Sequence, residues 1–315
     1  MPEAVIAACR REFVRVARSF WLIPEILPSQ ALDDVALLYC FCRELDDAVD
    51  EAADATHARA AIDQIRAELE GRVTPRPLTE AFLESASRNR LPLECLEALL
   101  DGMASDLGAV RMASDAALLL YAYRVSAAVG LMLAPLLGVR GVEAEARVVD
   151  LGLALQLSNV ILGVQEDARR GRVYLPVARL AAAGLGPEDV LASPGHRRLL
   201  PVLGRLARLA DLYYDSAALG SPLIPLRYRH GVLLLAGSYR DLGWRAARGE
   251  PPLKTPGQLP LAVKAARFAE LLLTALRPRV LGLLPSPPHA PWLHSALTGR
   301  RGAHASSPRL TNPEP

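Results

Sequence analysis

Two stretches of this chain carry side chains whose types and spacing could do chemistry. Residues 29–51 read SQALDDVALLYCFCRELDDAVDE. Asp46 and Asp50 stand four apart, just over one helical turn, so their carboxylates project side by side. Tyr39 and Arg43 lie on the same stripe, beside an apolar row of Leu38, Cys42, Leu45 and Val49. Adjacent carboxylates repel. They either form a solvated acidic face or, where half-buried, recruit a cation. Mg²⁺ suits such a pair, because this hard ion takes carboxylate oxygens and shares them with substrate phosphates. The fork of Arg43 could hold the same phosphate.

The second stretch, residues 156–176, reads QLSNVILGVQEDARRGRVYLP. On a helix, Gln156, Asn159, Gly163, Asp167 and Arg170 recur at spacings of three and four, and Arg169, Arg170 and Arg172 set guanidinium groups beside the carboxylates. Gly163 interrupts the polar stripe. A glycine inside a helix costs ~1 kcal/mol relative to alanine, which argues for a local reason.

The elements that must position these groups are helices. Helical periodicity predicts segments at 3–20, 29–51, 57–70, 78–88, 92–107, 114–137, 143–168, 187–192, 197–219, 225–248 and 260–277, separated by Gly and Pro. Ser29 is the expected N-cap of the first acidic helix. We expect one all-α domain over residues 1–277. The Pro-, Arg- and His-rich stretch 278–315 has the composition of a disordered tail.

Half of the 315 residues are apolar, enough for a large core, and the net charge of +2 argues against a nucleic-acid binder. Cys9, Cys40, Cys42 and Cys95 match no usual zinc spacing and read as free thiols in a reducing compartment. Charged residues from Glu3 to Arg18 break any apolar secretory core. The apolar run Val125–Val139 is shorter than the ~20 residues of a spanning helix and reads as a buried core helix.

In its motifs the chain resembles the squalene/phytoene synthase family. The resemblance rests on ARSFWLIPEILP (17–28), LLYCFCRELDDAVDE (37–51), DGMASDL (101–107), YAYRVSAAVGLML (121–133) and QLSNVILGVQEDARRGRVYLP (156–176). It implies a class I isoprenoid (terpenoid) synthase fold, a single helical domain around a central apolar cavity with two acidic motifs facing each other across its mouth. It implies Mg²⁺ held by Asp46, Asp50 and Asp167, with NADPH needed only for a squalene-forming reaction. It makes Asp46, Asp50, Asp167, Tyr39 and Tyr123 catalytic, Tyr121 and Tyr123 forming a pair close to the cavity. Diphosphate binding falls to Arg18, Ser19, Phe20, Arg43, Gln156, Asn159, Arg169 and Arg172. The implied reaction joins two prenyl diphosphates head to head through a cyclopropyl diphosphate.

The chain departs from the family at Leu162-Gly163, where Arg-Asp is usual, and at Ala127, where Gly is preferred in a position that could narrow the cavity. The first departure leaves three readings open: the same coupling reaction, chemistry on a single prenyl diphosphate, or a binding or assembly protein without catalysis. A hydrocarbon product implies a cytoplasmic protein with peripheral contact at the inner face of the membrane. Val232–Leu235 are the candidate contact, against the alternative of a buried core helix.

Overall fold

Amphipathic periodicity becomes helix at nearly every place it predicts one. The computed structural model describes residues 2–17, 27–250 and 280–304, with scattered positions between 262 and 278. The helices are α1 (Pro2–Ala17), α2 (Ser29–Asp50), α3 (Ala55–Leu69), α4 (Pro77–Asn89), α5 (Leu93–Ala104) and α6 (Asp115–Ala122). They continue as α7 (Ala128–Leu136), α8 (Val142–Arg169), α9 (Val177–Ala181), α10 (Pro187–Ala192), α11 (Leu200–Leu219) and α12 (Leu226–Ala247). The expected helix at 260–277 and residues Arg18, Ser19 and Phe20 lie outside the continuous described segments. Among the described residues there is no strand, only an isolated parallel bridge between Arg111 and Val173.

The long central helix α8 is the organising element. It packs most extensively on α11, and α12 covers both. Its row of Leu153, Leu157, Val160 and Val164 is buried in the main core. Helices α6–α7 and α8 are apolar and long enough to cross a membrane, but half or more of each is buried inside the bundle, as for core helices.

The expected single helix at 114–137 contains a π turn at Tyr123–Ala127. Two glycines clamp that turn. A Cβ on Gly152 would come within 2.4 Å of Ala127 Cα, and one on Gly102 within 2.7 Å of Val125 Cγ1. Ala127 is therefore buried against α8, and its methyl group fills a helix contact.

Two expectations are corrected. Ser29 is the first residue of α2, with Pro28 in the cap position, and its Oγ accepts a hydrogen bond from Arg10 at 3.0 Å. Residues 280–304 are ordered, with a 3₁₀ turn at Pro291–Leu297 and buried Val280, His289, Leu293, His294 and Leu297. Composition misleads there because a few apolar and histidine side chains, set between prolines, find partners on the bundle.

Gly152→Ala should destabilise the protein by ~1–3 kcal/mol through overpacking, read as a lower urea midpoint at unchanged m-value. A midpoint within error of the parent would show that α8 and the π turn do not need this close approach.

Candidate active site

The ends of the two acidic stretches meet at one recess, lined by Asp50, Asp106, Arg170 and Arg172 among others. On α2, Asp46 is open to the mouth yet hemmed in by protein, and burial, with the negative charge of Asp50 next, pushes its pKa up to about 6. On α8, burial pushes Asp167 up to about 7, the nearby Arg172 opposing and Asp106 reinforcing the rise. The charge of Asp106 reinforces both rises.

Asp106 is itself pushed up by burial, against hydrogen bonds that favour its charge. Tyr174 donates to its Oδ1 at 2.7 Å and Tyr121 to its Oδ2 at 2.8 Å, the two rings stacked at 4.8 Å. Sequence reasoning did not give Asp106 or Tyr174 a role. The signal lay in the blocks DGMASDL and VYLP, whose acid and tyrosine had no assigned partner. Backbone hydrogen bonds from Val173 to Val110 and from Val177 to Met112 bring these two blocks together.

The turn after α8 aims the arginines. Gly171 takes a left-handed conformation, φ +73°. The Arg172 amide then returns to the Asp167 carbonyl at 2.8 Å, a Schellman closure that ends the helix. Arg170 donates to Asp50 Oδ2 at 2.6 Å and Arg172 to Asp50 Oδ1 at 3.3 Å. Asp50 is thus neutralised by arginine, whereas among the described residues no cation lies within ion-pair distance of Asp46 or Asp167.

The remaining predicted residues divide. Arg43 pairs with Asp47 at 2.9 Å, one residue beyond the expected carboxylate. Tyr39 packs near Phe13, ring centroids 5.6 Å apart, and burial raises its pKa. Asn159 Nδ2 reaches Gln156 Oε1 at 3.4 Å, so these two act as a pair. Arg169 is exposed at the end of α8, and Arg170 takes the pairing with Asp50 instead.

Tyr123 is a correction. It is buried beside Cys95, and its hydroxyl donates to the Arg301 carbonyl at 3.0 Å. Positions two apart on a helix point to opposite sides, so when Tyr121 faces Asp106, Tyr123 cannot.

Gly163 has a local role. A Cβ there would sit 2.8 Å from Asp167 Oδ2. The Asp167 carboxylate therefore lies back along the helix over the bare glycine, and any side chain at 163 must displace it.

A small apolar pocket of about 50 Å³ lies at the other end of α8, lined by Val148, Leu151, Leu223, Ile224, Val232 and Leu233 among others. Val232 and Leu233, in the stretch considered for membrane contact, thus face this interior pocket. Between pocket and acids, α8 keeps Leu155, Gln156, Asn159, Leu162 and Gly163 partly or fully exposed.

The donor set fits a hard divalent cation. Asp46 and Asp167 have no ion-pair partner among the described residues, burial and the charge of Asp106 push both up, and a positive charge beside them would favour their ionised forms. The sign of the metal-free pH dependence follows. An acid whose pKa is higher folded than unfolded keeps its proton longer in the folded state, so it costs stability as pH rises from about 4 towards 7. Relative to the parent without metal, Asp167→Asn should therefore gain stability between pH 5 and pH 7.5. Mg²⁺ should raise the parent's melting temperature more at pH 7.5 than at pH 5. Parallel pH profiles for parent and variant in chemical denaturation would refute the assignment.

Residues 13–262 match the family model described as squalene/phytoene synthase. The chain is 36% identical to phytoene synthase of Rhodobacter capsulatus over 256 residues, covering 79% of this chain and 75% of that one. It is 36% identical to phytoene synthase of Thermus thermophilus over 281 residues, covering 82% and 93%. Among solved structures, a dehydrosqualene synthase superposes with a TM-score of 0.74 at 24% identity, over 87% of this chain and 97% of that one. That likeness shows the fold, the all-α isoprenoid synthase architecture.

Proposed function

The chain belongs to the squalene/phytoene synthase family, and from that premise we propose that it couples two prenyl diphosphates head to head. The reaction runs through a cyclopropyl diphosphate to a phytoene-type hydrocarbon, without a nicotinamide reductant. The observation that carries this reading is a pair of carboxylates without ion-pair partners among the described residues, Asp46 and Asp167, each raised by burial and the charge of Asp106, beside a recess that holds Asp50, Arg170 and Arg172.

Asp46 and Asp167 would hold Mg²⁺, with Asp50 joining once its arginines turn to substrate. The ion, when bound, draws off the charge that builds on a departing diphosphate. Arg170 and Arg172, now spent on Asp50, can exchange that carboxylate for a diphosphate oxygen, a stronger and more geometrically matched partner. Arg43 offers a further fork at the rim, and Gln156 and Asn159 offer amides along α8. Tyr121 and Tyr174 fix Asp106 and with it the floor of the acidic recess. Tyr39 stands on α2 one turn before Arg43. The apolar pocket, at the far end of α8 from the acids, offers apolar surface to the tail of a prenyl chain.

A second reading has support in one observation. Leu162-Gly163 removes a cation and a carboxylate together, a charge-matched loss that fits a protein retaining the prenyl site for binding or for a single prenyl diphosphate. We favour catalysis because Gly163 leaves room for Asp167 to fold back where a second carboxylate would stand.

Purified protein with Mg²⁺ and geranylgeranyl diphosphate should release diphosphate and yield a hexane-extractable head-to-head product with no NADPH. Asp46→Asn and Asp167→Asn should each lower kcat by ~100-fold or more, as for loss of a charge stabilising a transition state. Gly163→Ala, which only displaces Asp167, should lower it less. Substrate binding without turnover, together with activity gained in a Leu162→Arg, Gly163→Asp variant, would instead establish the binding protein.

A further inference from the structure

A buried cluster far from the acidic recess is unused by the proposed reaction. Asp150, on the first half of α8, is fully buried together with His289 and His294 from the C-terminal segment. His294 Nε2 lies 3.1 Å from Asp150 Oδ1 and His289 Nε2 lies 3.1 Å from Oδ2. Ser216 of α11 donates to Oδ2 at 2.7 Å. Burial alone would raise the pKa of Asp150, but these hydrogen bonds hold it below the usual carboxylate range, so the charge persists.

The three side chains could also suggest a metal site, but the tautomer decides otherwise. His294 Nδ1 accepts the backbone N–H of His304 at 3.0 Å. The ring proton therefore sits on Nε2, which turns an N–H rather than a lone pair towards Asp150. The cluster is a hydrogen-bonded clasp.

What it clasps lies against the apolar pocket. Arg147 lines that pocket and donates to the Ser216 carbonyl at 3.1 Å and to the Pro287 carbonyl at 2.6 Å. Arg229 joins the carbonyls of Pro222 and Ile224, beside the pocket, to that of Val280. Tyr213 holds Leu293, and Arg301 spans Glu94 and Glu145. The pocket residue Leu151 stands sixteen residues from Asp167, about 24 Å along the helix. That separation puts the pocket where the tail of a chain anchored at the acidic recess would end.

We infer that residues 280–304 form a strap that closes this far end, and that the clasp of Asp150 with His289 and His294 thereby limits the length of prenyl chain the protein accepts. The inference rests on the prenyl diphosphate reading and adds a specificity element to it. Arg147 is the shared part, one face in the pocket and one on the strap.

The test uses the full chain and non-cleavable thiolodiphosphate analogues of farnesyl, geranylgeranyl and geranylfarnesyl diphosphate, titrated calorimetrically with Mg²⁺ present. Two variants loosen the strap from opposite sides: Asp150→Asn on α8, and His289→Ala with His294→Ala on the strap, which leaves α8 untouched. Amide hydrogen exchange over 280–304 checks that the strap is released. Release should shift the affinity ratio towards the longest analogue by about tenfold, whether or not the protein turns substrate over. Faster exchange in the strap with an unchanged ratio overturns the inference, as does unchanged exchange in a folded double variant. A parent chain that binds none of the analogues sinks the prenyl diphosphate reading itself and this inference with it, a result distinct from the other two.

Discussion

Carboxylates gathered in one half-dry recess repel each other, and the fold holds them there against that repulsion. Two of the four have partners within the protein: Asp50 pairs with Arg170 and Arg172, and Asp106 accepts hydrogen bonds from the hydroxyls of Tyr121 and Tyr174. The cost that remains is concentrated on Asp46 and Asp167, whose pKa values rise to about 6 and about 7. A site of this kind needs a rigid frame, since any slack would let the charges separate. The packing of α8 on α11 and the buried apolar row of α8 supply that frame.

Much of this arrangement was legible in the chain itself. Helical periodicity gave the bundle, because apolar rows at three- and four-residue spacing have few ways to be buried other than against other helices. The spacing of Asp46 and Asp50 put them on one face of a helix, and α8 ends close to the expected 168, where Gly171 takes a positive φ. What could not be read was pairing across elements. Nothing local in DGMASDL says that Asp106 will meet two tyrosines, one of them 68 residues away. Nor does RRGR say which arginine reaches Asp50, since that depends on how the Schellman turn swings the chain.

The C-terminal stretch shows the opposite error. Its prolines, serines and arginines have the composition of a disordered tail, and composition averages over the few residues that matter. His289, Leu293, His294 and Leu297 are buried, and they dock on partners from distant parts of the sequence, Asp150 among them. Gly163 shows a different gap between sequence and structure. Position by position it is an absent side chain; in three dimensions it is also the space over which the Asp167 carboxylate lies.

The π turn at Tyr123–Ala127 separates the rotational phase of α6 from that of α7. A π turn holds roughly one more residue than an α turn, so it works as a phase shifter within a continuous rod. Upstream, the rod is set by Tyr121 facing Asp106; at the downstream end of the turn, by Ala127 seated against Gly152. Each half can meet its own geometric demand only because the inserted residue absorbs the angular difference. Variation in length at this point would therefore act as a rotation of one half against the other, turning either the tyrosine or the packing face away from its partner.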